Sequence, residues 1–259
     1  MPLLSSKKQK TALTLSGGGT RGFAHLGALE AFFEAGIKFD LVTGTSVGSI
    51  VGAFYCAGLS IDTMLKAAST LQSKQIHQGL IPNDPMRIGS LVKSYLGSMR
   101  FEDLKTPLHV VAVDLISSKE IIFDKGLIYE AVAASCAFPL LYRPLVLGGM
   151  HLADGGLLNN IPADVARMMG ADKVITIDIN SGRAHGTNSL SLLNVARASL
   201  RIAISNSSEK GLINSDIIIA PDLAKFRATK KDGSEEMIEI GYKAAKDRMK
   251  EVLELIGKR

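Results

Sequence analysis

Ser46 is the side chain whose surroundings most clearly suggest chemistry. It is the centre of Gly44-Thr45-Ser46-Val47-Gly48. A short apolar run, Phe39 to Val42, precedes it, and Ile50, Val51, Phe54 and Tyr55 follow at helical spacing up to Gly58. Strand, Gly-x-Ser-x-Gly, helix is the context of a nucleophile elbow, in which a sharp turn lifts the serine hydroxyl out of a sheet edge. Gly44 and Gly48 leave room where the chain doubles back, and the positive end of the following helix favours a forming alkoxide. A second reading rests on the lack of charge from Leu41 to Ile61 and on Gly44, Gly48 and Gly52. That is the small-xxx-small spacing of a membrane helix pair. Thr43, Thr45, Ser46, Ser49 and Ser60 make the stretch too polar for a comfortable span, so the elbow is preferred.

An attacking serine needs a group to hold the negative oxygen it creates. Gly17-Gly18-Gly19-Thr20-Arg21-Gly22 lies between an alternating run, Thr11 to Ser16, and a helical pattern, Phe23 to Ala35. The loop fits the dinucleotide fingerprint G-x-G-x-x-G, which also wants an acidic residue about twenty residues on. Asp40 is at that distance, but it precedes Leu41 and Val42 and is poorly placed to reach a ribose. No Walker lysine-serine pair follows. The loop does offer backbone N–H groups at a helix N-terminus, where Gly18, Gly19 and Thr20 could donate to an oxyanion and Arg21 could steady the loop. The plainer alternative is that the glycines allow a tight turn and close helix packing.

The base is harder to read. The five histidines are His25, His77, His109, His151 and His185. None has a partner that spacing identifies, although His185 follows a strand much as the histidine of an α/β-hydrolase would. Asp154 precedes Gly155 and Gly156, so its loop can approach another group closely. A carboxylate serves as general base when burial raises it from about 3.9 and the hydroxyl is within reach. Asp114, Asp124 and Asp178 also fall at or near strand ends, and Asp-Gly-Gly is ordinarily a turn. Spacing alone does not pair any of them with Ser46.

Three motifs occur in order: Gly17 to Gly22, Gly44 to Gly48 and Asp154 to Gly156. In this the chain resembles the patatin-like phospholipases, as do Ala134-Ser135-Cys136-Ala137-Phe138-Pro139 and Asn160-Ile161-Pro162. The resemblance covers about residues 11 to 180 and departs at no motif position. It implies a three-layer α/β/α fold and hydrolysis of lipid acyl esters by a Ser46–Asp154 dyad with no histidine. It also implies an oxyanion hole from the Gly17 to Gly22 loop. The alternatives are a hydrolase of small esters or thioesters, and a regulatory protein on a hydrolase fold.

The elements that must position these residues alternate. Strands are expected at Thr11–Ser16, Phe39–Val42, Leu108–Leu115, Lys119–Phe123, near Val146, at Lys173–Ile179 and at Ser215–Ala220. Helices are expected between them, at 189–209, and as one long Met237–Leu255 helix. The pattern predicts an α/β protein with a largely parallel sheet, 1–259 forming one domain. Residues 61 to 100 form a helical insertion expected over one end of the sheet, a candidate cap, and 182 to 187 a loop. With 46% hydrophobic and 21% charged residues the chain can bury a full core. The absence of tryptophan argues against a stacking platform for single-stranded nucleic acid. A net charge of +5 is compatible with weak attraction to anionic lipid. Cys56 and Cys136 lie in apolar surroundings without metal spacing, so two buried thiols and no metal or cofactor are expected. The basic start, without a long apolar run, predicts a cytoplasmic protein, peripheral at the membrane.

Overall fold

The structure, a computed structural model, describes residues 9–74, 84–181, 191–226 and 233–257. The first strand, β1 (Thr11–Leu15), lies between β2 (Leu41–Thr45) and β7 (Lys173–Ile177), parallel to both. β2 continues in parallel to β3 (Leu108–Asp114), and β7 to β8 (Ile217–Ile219). The remaining strands are antiparallel: β4 (Lys119–Phe123) and β6 (Met150–Asp154) on β3, and β5 (Leu145–Leu147) on β6. The eight-stranded sheet is therefore mixed, with five parallel strands.

Alternation along the strands separates two apolar faces. Leu13 and Leu15 of β1, Val42 of β2 and Ile175 and Ile177 of β7 join the larger core. It is completed by α1 (Phe23–Glu34), α2 (Val47–Cys56), α5 (Ile128–Ser135), α9 (Ser234–Asp247) and α10 (Met249–Leu255). Ala12, Leu41 and Val174 point the other way, onto α6 (Ala163–Met168). Helices on both faces of a sheet give the three layers. α7 (Leu192–Asn206) and α8 (Glu209–Ile213) lie between β7 and β8 in the chain.

The region expected as a helical insertion contains α3 (Ile61–Lys74) and α4 (Met86–Leu96). Both contribute to the larger core, through Met64 and Ala67 and through Ile88 and Val92. His77, Gly79 and Pro82 lie outside the described residues.

β3 has an arrangement that decides where the chemistry sits. β4 pairs along β3 from Val110 to Asp114. β2 pairs with β3 up to Val111, and β6 from Ala112 onward. A strand has two edges, and β4 occupies one along both stretches. β2 and β6 therefore share the other edge and meet on it head to head, one running parallel to β3 and one antiparallel.

The long helix expected at the end of the sequence is two helices, α9 and α10, divided at Arg248. α9 crosses α1 at backbone contact. A Cβ on Gly27 would lie 1.9 Å from the Ile238 carbonyl oxygen, and one on Gly241 2.0 Å from that of Ala24. Gly241→Ala should consequently destabilise the protein by about 1–3 kcal/mol, the usual cost of overpacking. Thermal unfolding would register this as a fall of several degrees in Tm; an unchanged Tm would mean that the helices separate freely.

Candidate active site

The serine elbow forms where β2 turns into α2. Ser46 has φ 54° and ψ −126°, a backbone conformation that non-glycine residues seldom adopt without support. Support comes from three sides. Its N–H donates to Ser135 Oγ at 2.8 Å, and Ser135 Oγ in turn donates to the Val111 carbonyl at 2.6 Å. Its carbonyl accepts from the Ser49 N–H at 2.8 Å and from the Ser49 hydroxyl at 2.6 Å. The glycines are needed on steric grounds: a Cβ on Gly48 would meet the Leu15 carbonyl oxygen at 2.2 Å, and one on Gly44 the Gly48 carbonyl oxygen at 2.6 Å.

Asp154 reaches the same place from the opposite direction. It is the last residue of β6 rather than part of a loop, and it pairs with Ala112 immediately beyond the Thr45–Val111 pair that ends β2. Its N–H is held by the Ala137 carbonyl at 3.1 Å, and Gly156 N–H donates to its carboxylate at 2.8 Å. Gly155 must lack a side chain because a Cβ there would stand 2.3 Å from the Val111 carbonyl oxygen. The Ser46 side chain is near enough to the Asp154 carboxylate to lower its pKa, against the effect of burial. Asp154 is buried while Ser46 is half-exposed, so the serine is reachable and its partner is dry. Desolvation raises the Asp154 carboxyl to about 6, against the lowering effects of the Ser46 and Gly156 hydrogen bonds. Burial likewise raises the neighbouring Cys136 thiol, with the Asp154 charge adding to the effect, so the sulfur stays protonated.

The glycine loop closes the third side. Gly17 packs on the serine so tightly that a Cβ there would lie 3.3 Å from Ser46 Cβ. Gly19 has φ 62° and starts a 3-10 turn, Gly19–Gly22, that leads into α1. Among the described residues, the Gly18 and Gly19 N–H groups have no hydrogen-bond acceptor. The Arg21 side chain is buried and donates to Asn180 Oδ1, while Asn180 Nδ2 donates to the Gly17 carbonyl. Asp178 stands in the Arg21 field and accepts from the Asn180 N–H at 2.9 Å. Arg21 thus braces the loop from below. Ser16, Ser46 and Asp178 all follow the carboxyl ends of adjacent parallel strands, where α/β sheets place their ligands.

Other candidates are dispersed. Asp40 accepts from the Thr11 N–H at 2.8 Å, at the opposite end of the sheet from the glycine loop, so it cannot serve a nucleotide held there. His25 is fully buried in α1, bonded through Nε2 to the Ser16 carbonyl at 2.9 Å and lowered to about 4 by desolvation. The His109 side chain lies buried on β3 and that of His151 is exposed on β6; His185 lies outside the described residues. Asp114 is occupied by Ser117 and by the His151 N–H. No group of three His, Cys, Asp or Glu side chains among the described residues is placed to hold a metal ion. Ser135 and Asn160 lie in segments that the sequence singles out without giving them a role. Asn160 Oδ1 would be 2.5 Å from a Cβ on Gly17 and 3.1 Å from one on Gly156, between the two glycine motifs. Asn180 went unread; its only signal is an asparagine just past a strand end.

A half-exposed serine on a strained elbow thus stands beside a buried carboxylate and a glycine loop, at the carboxyl ends of the parallel strands of an α/β sheet. The family model for patatin-like phospholipases matches residues 13–167 of this chain, which belongs to that family. It is 37% identical over 182 residues to human patatin-like phospholipase domain-containing protein 6, covering 66% of this chain and 13% of that protein. An uncharacterised NTE family protein of Mycobacterium bovis is 32% identical over 186 residues, 69% of this chain and 51% of the relative. The chain therefore spans about half or less of the length of these relatives. Among solved structures, VipD from Legionella pneumophila superposes with a TM-score of 0.59 at 16% identity, over 95% of this chain and 67% of that one. Human GIVD cytosolic phospholipase A2, solved with methyl gamma-linolenyl fluorophosphonate, gives 0.51 at 10% identity over 96% and 59%. These two likenesses bear on the fold.

Two outcomes follow from this geometry. The folded state raises Asp154 from 3.8 to about 6, so it binds the proton more tightly than the unfolded chain does. Its contribution to stability is complete below the unfolded value and is lost as pH rises through about 6. Asp154→Asn should therefore raise stability at pH 8 by about 2–3 kcal/mol and leave it nearly unchanged near pH 3.5. Denaturant melts at the two pH values test this, and equal effects at both would contradict it. Ser135→Ala strands the Ser46 N–H and should cost about 1–3 kcal/mol, a fall of roughly 2–10 °C in Tm.

Proposed function

We propose that this chain is a serine acyl-ester hydrolase acting on lipids, of the phospholipase A or lysophospholipase kind, with Ser46 as nucleophile and Asp154 as its base. The observation that carries the reading is the meeting of β2 and β6 on one edge of β3, which sets the half-exposed Ser46, one residue past the Thr45–Val111 pair, beside the buried Asp154 at the Ala112 pair. With its pKa near 6, the carboxylate is ionised at neutral pH yet basic enough to accept a proton.

Asp154 takes the Ser46 proton as Oγ attacks the ester carbonyl carbon. The carbonyl oxygen becomes an oxyanion and is received by the N–H groups of Gly18 and Gly19. Collapse breaks the ester C–O bond, and the protonated Asp154 returns its proton to the leaving alcohol. An acyl-Ser46 ester remains. Water then gives a proton to Asp154 while its oxygen attacks the acyl carbon; the fatty acid leaves and Ser46 recovers its proton. The Ser46 N–H is engaged by Ser135, so oxyanion binding falls to the glycine loop. Family membership and the lipid substrates named in that family supply the substrate class.

Intact-mass spectrometry after fluorophosphonate treatment should find a single adduct on the wild type and none on Ser46→Ala. With a short-chain ester substrate, kcat should rise with pH through about 6 as Asp154 ionises. Asp154→Asn should lower kcat by roughly 10²–10⁴-fold with KM little changed. An adduct retained by Ser46→Ala, or full activity of folded Asp154→Asn, would refute the dyad.

A further inference from the structure

Asn160 stands where the two halves of the candidate active site meet, and it is 3% exposed. Its carbonyl accepts from the Gly17 N–H at 3.1 Å. Its own N–H donates to Ser207 Oγ at 3.3 Å, and that hydroxyl donates to the Gly156 carbonyl at 2.7 Å. The backbone of Asn160 thus ties the glycine loop to the Asp154 turn, and its side chain lies between them. Oδ1 would be 2.5 Å from a Cβ on Gly17, the glycine that packs on Ser46. Over Gly156, Asn160 Oδ1 and Asp154 Oδ1 converge, each 3.1 Å from the place a Cβ would take.

The neighbours fix which way the amide faces. Ser208 Oγ donates its one proton to the Ile204 carbonyl at 3.2 Å, so toward Asn160 it acts as acceptor. Nδ2 fills the donor role at 3.3 Å, which leaves Oδ1 on the side of Gly17 and Gly156. Among the described residues no group donates to Oδ1. A buried acceptor without a donor is costly. In a reactive site it is a binding group for something that brings a proton.

Water brings two. Once Ser46 has been acylated its hydroxyl proton is gone, and the Asp154 carboxylate is open to a new donor. A water between Asp154 and Asn160 gives one hydrogen to each acceptor and keeps a lone pair for the ester carbon on Ser46. We infer that Asn160 orients the water of deacylation, held between its Oδ1 and the Asp154 carboxylate. The inference rests on the hydrolytic reading above. The water oxygen bonds to the acyl carbon, one proton passes to Asp154, and the other stays on the oxygen, facing Asn160. As the bond from the acyl carbon to Ser46 Oγ breaks, Ser46 takes the proton from Asp154 and the fatty acid leaves.

A p-nitrophenyl ester tests this without any glycerol hydroxyl for Asn160 to bind. Since kcat/KM then reports acylation alone, Asn160→Ala should leave it within about threefold while kcat and KM both fall roughly 10–100-fold. Intact-mass spectra of quenched reactions should show more acyl-Ser46 than in the wild type. Asn160→Asp keeps an acceptor in place and should recover most of kcat, its rise moved to higher pH by a second carboxylate beside Asp154. Thermal melts and fluorophosphonate labelling of Ser46 check that each variant is folded and can be acylated. Asn160→Leu, of similar shape without polar atoms, serves if Asn160→Ala does not fold. The inference fails if kcat/KM falls as far as kcat, or if the apolar variants accumulate no more acyl-enzyme than the wild type. A wild type whose Ser46 takes neither fluorophosphonate nor acyl group would overturn the hydrolytic reading, and this inference with it.

Discussion

The head-to-head meeting of β2 and β6 on one edge of β3 is the constraint on which the rest depends. β2 leaves the ladder at Thr45, opposite Val111, and β6 leaves it at Asp154, opposite Ala112. Two strands pointing at one another cannot both continue, so each must turn out of the sheet at once. β2 does so through the strained Ser46 elbow and β6 through the Gly155-Gly156 turn. The groups at the two turns are thereby brought together by backbone pairing rather than by loops. Ser135 adds a clasp, since its hydroxyl joins Val111 of β3 to the N–H of Ser46.

The same compactness sets the electrostatics. Burial keeps water from Asp154, and desolvation rather than a neighbouring charge dominates its raised pKa. An ionised carboxylate in that position weakens the fold. Compensation comes from the polar frame around it. Arg21, Asp178 and Asn180 tie the glycine loop to the end of β7, and Ser207 ties the Asp154 turn to α7. These bonds join the glycine loop, the end of β7 and the Asp154 turn in one polar network.

Much of this was legible in the sequence because local physics dictates it. Thr11 to Leu15, Lys119 to Phe123 and the run into Ser46 show their strand character in their own residues, and the glycines at 44 and 48 announce a close approach. The Ser46–Asp154 pair could be named only through the order of three motifs, since a contact between two strand ends leaves no trace in spacing. β6 was missed for a related reason. Met150-His151-Leu152-Ala153 is short, follows two glycines, and becomes a strand through its partners β3 and β5. The break between α9 and α10 carries no glycine or proline, and Arg248 turns the chain without a local signal. Asn180 was invisible because its importance lies in what it joins, the Arg21 side chain and the Gly17 carbonyl, far away in sequence.

The backbone contact between α1 and α9 also has a meaning in time. Gly27 is covered by Ile238, and Ala24 by Gly241, so α1 lacks its lid until the chain through α9 has been made. β1, too, awaits β7 on one flank. The segment with the glycine loop is therefore made early and consolidated late, because contacts between distant stretches close only after both exist. The nascent chain therefore carries its serine elbow beside an unsettled glycine loop until β7 and α9 have both been made.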